Sequence, residues 1–313
     1  MLRFLLSRLL STVPVLALVA LFVFLLLRLT PGDPAAVIAG DTATAAQVAE
    51  IRTKLGLDQP IVRQFAIWSG RALTGDFGES FFFKRTVSAL ILQRLEPTLA
   101  LAASTLLLAV LVALPLGVIA AWRHGGWLDR GLMGFSVLGF SVPVFVIGYL
   151  LIYLFAVKLG WLPVQGYNRI GDGLGAWASH LVLPSLTLSV IYIALIARMT
   201  RASVIDVLGE DYIRTARAKG VANLAILVRH ALRNAAIPII TVIGLGVALL
   251  IGGVVVTESV YNIPGLGRLT VEAVLARDYP VIQAVILLFS FAYVLINLVI
   301  DLAYSAFDPR IRY

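Results

Sequence analysis

The sequence predicts an all-α membrane protein of about six transmembrane helices, and three observations carry that prediction. Hydrophobic residues make up 60% of the 313 and charged residues only 13%, with a mean hydropathy of +0.96. A soluble domain is roughly half apolar and about a quarter charged, so lipid is the solvent for most of this chain. Six stretches also reach the roughly 20 apolar residues that a helix needs to cross a hydrocarbon core of about 30 Å. Finally, the basic residues alternate between loops as a multi-spanning topology requires.

The predicted spans run from Leu9 to Leu29, Pro97 to Ala121, Leu132 to Val157, His180 to Met199, Ala236 to Thr257 and Val281 to Ala303. Arg3 and Arg8 ahead of the first could introduce a cleavable signal peptide. Its apolar run is longer than such peptides use, and Thr30-Pro31-Gly32-Asp33-Pro34 is a poor cleavage context, so a retained signal anchor is expected. One set of loops holds Arg3, Arg8, Arg123, Arg130, Arg198, Arg201, Arg214, Arg217, Lys219, Arg229, Arg233, Arg310 and Arg312; the alternate short loops hold Lys158, Arg169, Arg268 and Arg277. Positive charge accumulates on the cytoplasmic side, which places both termini there. The net charge of +8 therefore reflects topology rather than a nucleic-acid surface.

Residues 30–96, between the first and second spans, lie outside on this reading. The stretch is too polar to span and too long for a connector, so it is expected to form an extracytoplasmic cap with helices of its own. Pro31-Gly32-Asp33-Pro34 stops the first helix, Leu57-Asp58-Gln59-Pro60 reads as a turn, and Gly75-Asp76-Phe77-Gly78 is a glycine-bracketed turn ahead of Phe81, Phe82 and Phe83. The turn acids Asp33, Asp58 and Asp76 and the three phenylalanines are candidates for docking a soluble partner. A folded lid, or anchoring at the lipid interface, would account for the phenylalanines equally well.

The remaining chain, 97–303, reads as a five-helix core containing a cytoplasmic loop at 201–235, followed by a cytoplasmic tail at 304–313. Within the loop, Glu210-Asp211-Tyr212-Ile213-Arg214-Thr215-Ala216-Arg217-Ala218-Lys219-Gly220 reads as a short surface helix. Acids sit at its start, Arg217 and Lys219 near its end, and Gly220 is placed to cap it. An i,i+4 pair of Glu210 with Arg214 is expected. Tyr212, Ile213 and Ala216 form a narrow apolar stripe that could enter a groove on another protein or lie on lipid headgroups. A second helical stretch, Asn223 to Asn234, leads into the fifth span.

Chemistry of other classes finds little purchase. Absence of cysteine removes disulfides, thiolate catalysis and cysteine-ligated metals. The three histidines, His124, His180 and His230, are far apart, and Gly139-Phe140-Ser141-Val142-Pro143 begins like a nucleophile elbow but lacks its closing glycine. No phosphate-binding loop is present, so any ATP must be hydrolysed by a partner. An ion-coupled carrier would place titratable groups deep in its spans, whereas Arg28, His180, Arg198, Glu258 and Asp301 fall near predicted ends. The interiors offer Ser104, Thr105, Ser136, Ser141, Ser189 and Asn297, which suit helix packing better than substrate contact. A passive channel or carrier, and then a membrane scaffold, remain as alternatives.

In order and spacing, several motifs resemble the permeases of dipeptide and oligopeptide ABC importers, of the type with a long first outer loop. Beside the turns at 31–34 and 75–78 and the loop at 212–220, they are Leu55-Gly56-Leu57-Asp58-Gln59-Pro60, Leu162-Pro163-Val164-Gln165-Gly166-Tyr167, Ile263-Pro264-Gly265-Leu266-Gly267, Ala276-Arg277-Asp278-Tyr279-Pro280 and the closing Asp308-Pro309-Arg310-Ile311-Arg312-Tyr313. The resemblance implies a bacterial inner-membrane protein with the type I importer permease fold. It implies a sister permease, usually non-identical, completing a channel of about twelve helices, with two cytoplasmic ATPases below and an extracytoplasmic binding protein above. The helix ending at Gly220 would be the coupling helix seated in an ATPase groove. Arg214-Thr215-Ala216 stand where the general importer motif has Glu-Ala-Ala, and Arg233 where it has Pro, so residue roles from sugar or metal importers do not carry over. Family members transport dipeptides, longer peptides, nickel chelates and other small solutes.

Overall fold

A computed structural model describes residues 2–29, 33–40, 43–54 and 56–307. In chain order the helices are α1 (Leu2–Leu29), α2 (Pro34–Ala39), α3 (Ala45–Lys54), α4 (Ile61–Leu73), α5 (Val87–Trp122), α6 (Trp127–Ser141), α7 (Val144–Leu151), α8 (Leu174–Leu208), α9 (Asp211–Ala218), α10 (Asn223–Ala225), α11 (Ala236–Val260), α12 (Leu266–Leu275) and α13 (Tyr279–Phe307). α7 continues into a π-helical stretch, Ile152–Lys158, and α10 into another, Ile226–Leu232. Pro31, Gly32, Leu55 and the tail from Asp308 to Tyr313, together with the side chains of Arg3, Arg8 and Arg28, lie outside what is described.

Among the described residues four helices are long and apolar enough to cross a membrane: α5, α8, α11 and α13 as far as Tyr304. α1 covers the first predicted span, with Leu10–Leu26 as its apolar part. The predicted third span, Leu132 to Val157, is not one straight helix. α6 and α7 form a pair bent by 104° at Val142 and Pro143. Proline lacks the amide hydrogen an uninterrupted helix needs there, and it drives the preceding residue out of the helical region; Val142 is accordingly extended, with φ −92° and ψ 124°. The segment that resembled an incomplete nucleophile elbow is this break, and the Ser141 hydroxyl donates to the carbonyl of Val137 in its own helix.

The chain divides into two compact units. The first comprises Met1–Glu96 and Arg268–Leu295. In it α4 packs on α1, with Phe24 edge-on to Phe65 at 5.2 Å between ring centroids and tilted against Trp68 at 5.6 Å. The Gln283 side chain donates to the carbonyl of Val23 at 3.0 Å. Residues 30–96 carry α2, α3, α4 and the start of α5 rather than a structureless connector.

The second unit comprises Pro97–Gly267 and Ile296–Arg312. α8 is its central element, contacting both α6 and α11, with Leu183, Leu188 and Ile196 fully buried. Small polar side chains cross between helices here: Ser104 bonds Ser185 at 2.7 Å, Thr187 bonds the Tyr261 hydroxyl at 2.7 Å, and Ser136 donates to the carbonyl of Ala194 at 3.3 Å. The end of α11 closes on a buried carboxylate. Glu258 is fully buried, and the Thr98 hydroxyl donates to its Oε1 at 2.6 Å while accepting from the amide of Leu266 at 2.8 Å. The Ile263-Pro264-Gly265-Leu266-Gly267 segment wraps that carboxylate so closely that a Cβ on Gly265 would fall on it.

Candidate functional site

α9 is built as its residues dictate. Glu210 precedes it as N-cap in extended conformation, φ −70° and ψ 148°. Asp211 lies in the first turn and Arg217 in the last, each sign favoured by the helix dipole at its end. Gly220 has φ +74°, a left-handed conformation costly for other residues. That conformation lets its amide reach the carbonyl of Arg217 at 3.0 Å and the amide of Val221 reach that of Ala216 at 3.1 Å, the paired closure of a Schellman motif. The expected Glu210–Arg214 pair is replaced by Asp211–Arg214 at 3.2 Å. As N-cap, Glu210 stands outside the helical turn, so i,i+4 geometry does not apply to it, whereas Asp211 is three residues from Arg214 on the helix itself.

The apolar stripe is divided by the fold. Ile213 is fully buried in its own chain and Ala216 is half-buried, while Tyr212 stays exposed and its hydroxyl accepts from the Asn234 side chain at 2.9 Å. The Arg217 guanidinium lies over the Trp122 ring at 5.7 Å, tying the basic end of α9 to the end of α5. Asp211, Tyr212, Arg214, Thr215, Ala218, Lys219 and Gly220 are left facing outward. A partner would meet a mixed polar face on a helix fixed from behind.

Near the same end of α5 the structure brings Arg201, which the sequence marked only as a topology signal, together with His124 and Asp129. Asp129, in the first turn of α6, is almost fully buried. It accepts from both Nε and Nη2 of Arg201 on α8, the latter at 2.8 Å, and from the amide of Gly125 at 2.9 Å. His124 Nδ1 lies 3.1 Å from both Asp129 Oδ2 and Arg201 Nη2, able to donate to the first or accept from the second. This fork ties α6 to the stretch of α8 that leads into α9. Breaking a buried pair from one side costs roughly 3–5 kcal/mol because the other charge is stranded. Arg201 keeps some solvent contact, so Asp129→Ala should fall near the lower figure. The Asp129→Leu, Arg201→Met double variant should recover much of the loss in thermal unfolding of the purified protein; no recovery would mean that the fork is not what the single variant breaks.

In the other unit, the aromatic run is held by a residue nearly two hundred positions away. Asp278 Oδ2 accepts from the Ser80 hydroxyl and, at 3.2 Å, from the amide of Phe82, and Ser80 Oγ in turn accepts from the amide of Phe83 at 2.8 Å. Arg94 stacks on Phe83 at 5.5 Å and pairs with Glu272 at 3.1 Å. Phe82 is left 62% exposed, with Phe81 and Phe83 half-buried. Of the turn acids, Asp33 caps α2 by accepting from the amide of Ala35 at 3.2 Å and pairs with Arg52 at 2.6 Å, which holds its carboxyl below the ordinary range. Asp76 accepts from the amide of Gly78 at 3.0 Å, and Asp58 is exposed. Two of the three acids thus serve their own turns. Trp122, Asp129, Arg201, Glu258 and Asp278 were not among the site candidates, since their partners are distant in sequence.

Residues 113–313 match the family described as binding-protein-dependent transport system inner membrane component, and residues 1–102 match the description of the N-terminal part of such a membrane component. The probable peptide ABC transporter permease protein y4tP of Sinorhizobium fredii is 58% identical over 310 residues, covering 99% of each chain. The glutathione transport system permease protein GsiC of Escherichia coli is 48% identical over 313 residues, covering 100% of each. Among solved structures, a chain of the MetNI methionine ABC transporter in an inward-facing conformation aligns with a TM-score of 0.58 at 20% identity, covering 70% of this chain and 96% of that one. At that identity the likeness speaks for the fold.

Proposed function

We infer that this chain, which belongs to the family of binding-protein-dependent transport system inner membrane components, is the membrane-spanning permease of a peptide-type ABC importer. It forms half of the translocation pathway beside a second, non-identical permease. Two cytoplasmic ATPases drive it, and an extracytoplasmic binding protein delivers the peptide to it. Both termini and α9 face the cytoplasm, and residues 30–96 lie on the opposite side, where the binding protein docks. The names of the two relatives, one a peptide and one a glutathione permease, support a short peptide as cargo.

The observation that carries the mechanism is how α9 is mounted. It follows α8, whose 35 residues extend over roughly 52 Å. The Arg217–Trp122 contact joins α9 to α5, and the Asp129–Arg201 fork joins α6 to α8, which leads into α9. An ATPase groove that closed around the outward face of α9 would move these helices together, because packed interiors shift between discrete arrangements rather than deform continuously. ATP binding and binding-protein docking then bias one two-state assembly.

Proteoliposomes containing the two permeases and the ATPases, with the binding protein outside, test this reading directly. ATP-dependent accumulation of radiolabelled dipeptide or glutathione is expected, with none when the ATPases are omitted. Equal flux without them would make the chain a passive carrier.

A further inference from the structure

The polar segment between α1 and α5 contains one helix that does not behave as a soluble one. α4 buries none of its thirteen residues completely, yet it leaves Val62 77% and Leu73 90% exposed. At about 100° per residue its side chains fall into three sectors. Phe65, Trp68 and Ala72 share the first, half-buried, and Phe65 and Trp68 meet Phe24 of α1. Val62, Ala66 and Leu73 share the second, exposed and apolar. The third holds Arg63 and Arg71 with the exposed Ile67 between them, and α4 has no acidic residue.

The level at which α4 meets α1 decides what covers the second sector. An open cleft between them is lined by Leu21, Phe24, Leu25, Ile61, Val62 and Phe65, apolar throughout. Leu25 and Leu21 lie four and eight residues before Leu29, where α1 ends, or roughly 6 to 12 Å along its axis. Interfacial helices bury their apolar face about 5–10 Å into the boundary between headgroups and acyl chains. The neighbouring α1 surface is equally apolar and exposed, with Leu18 at 70% and Phe22 at 62%.

We propose that α4 is an interfacial helix lying in the membrane leaflet at the Leu29 end of α1, with a phospholipid acyl chain in the α1–α4 cleft and Arg63 and Arg71 turned to lipid phosphates. Val62, Ala66 and Leu73 face the acyl region. Trp68 sits at the depth where indole rings collect. The segment after the first span thereby stays against the bilayer.

The chain has no cysteine, so single cysteines can be introduced without removing any. Nitroxide labels at Val62→Cys, Leu73→Cys and Arg63→Cys are compared, in the complete transporter in nanodiscs of phosphatidylethanolamine and phosphatidylglycerol, with Phe22→Cys on α1 and Ala49→Cys on the polar helix α3. Collision with oxygen and with a water-soluble nickel chelate is read by electron paramagnetic resonance. Labels at Val62 and Leu73 should favour oxygen several-fold more than the label at Ala49 and approach that at Phe22, with Arg63 between. If Val62 and Leu73 collide with nickel as freely as Ala49, α4 lies in water and the proposal fails. If neither reagent reaches them, a protein surface covers α4 and the proposal also fails. Ala66→Cys, in the same sector, replaces either label that prevents assembly.

Discussion

Alanine in place of Gly265 should eliminate stable, detergent-extractable protein, and with it all transport. The added Cβ would occupy the position of the Glu258 carboxyl group, which is fully buried and held by the Thr98 hydroxyl. Neither can yield easily, because Thr98 is also the acceptor for the amide of Leu266. Overpacking a well-filled interior costs about 1–3 kcal/mol. Displacing Glu258 adds the cost of a buried polar group without its hydrogen bond, roughly 1–3 kcal/mol and more for a charge. Native proteins hold only about 5–15 kcal/mol in reserve, so the two together are severe. Gly267→Ala should behave similarly, since its Cβ would come within 2.6 Å of the Val255 Cα, a backbone atom. Gly131→Ala on α6, with nothing within 4 Å, is the control that should extract and unfold like the parent. Glu258→Gln keeps an oxygen for Thr98 and should be milder than either glycine variant. Size-exclusion profiles and thermal unfolding of the purified transporter decide the matter; a Gly265→Ala protein as stable as the Gly131→Ala control would refute the packing account.

The second large effect is functional rather than structural. Replacing Ala216 with leucine and Gly220 with valine should leave the protein inserted and assembled but abolish ATP-driven uptake. Gly220 at φ +74° has open space where a Cβ would go, so the penalty is conformational, about 1–2 kcal/mol for a side chain in left-handed geometry, and larger for a β-branched one. That strain loosens the closure from Val221 to Ala216, and leucine at the half-buried Ala216 pushes α9 away from its support. On the coupling role proposed for α9, a helix held less firmly would no longer pass movement of the ATPases to α8. ATP hydrolysis should therefore continue while peptide accumulation falls to background. Wild-type uptake by the double variant would remove α9 from the coupling role, and loss of membrane insertion would show that its part is in folding.

How far each feature is legible in the sequence follows from the distance over which it is set. The helix at α9 was legible, with its acidic start, basic end and Gly220 closure, because capping involves residues within a few positions. The pairing of Arg214 with Asp211 rather than Glu210 was not, because it turned on whether Glu210 enters the helix or stands before it. Pro143 was visible, yet the 104° bend between α6 and α7 depends on how the two halves pack. Ile213 looked like part of a docking stripe until the fold buried it. Glu258 meets Thr98 across 160 residues, Asp278 meets Ser80 across 198, and Arg201 meets Asp129 across 72.

Lipid as solvent, the approximate course of the spans and the local caps were determined by the sequence alone, because each rests on composition or on contacts within one or two helical turns. Only the tertiary structure decided which polar side chains became partners, which way Ile213 and Phe82 faced, and that α4 lies against α1. Those outcomes depend on pairs that chain connectivity leaves far apart and that only the packing of apolar helices brings within a hydrogen-bond length.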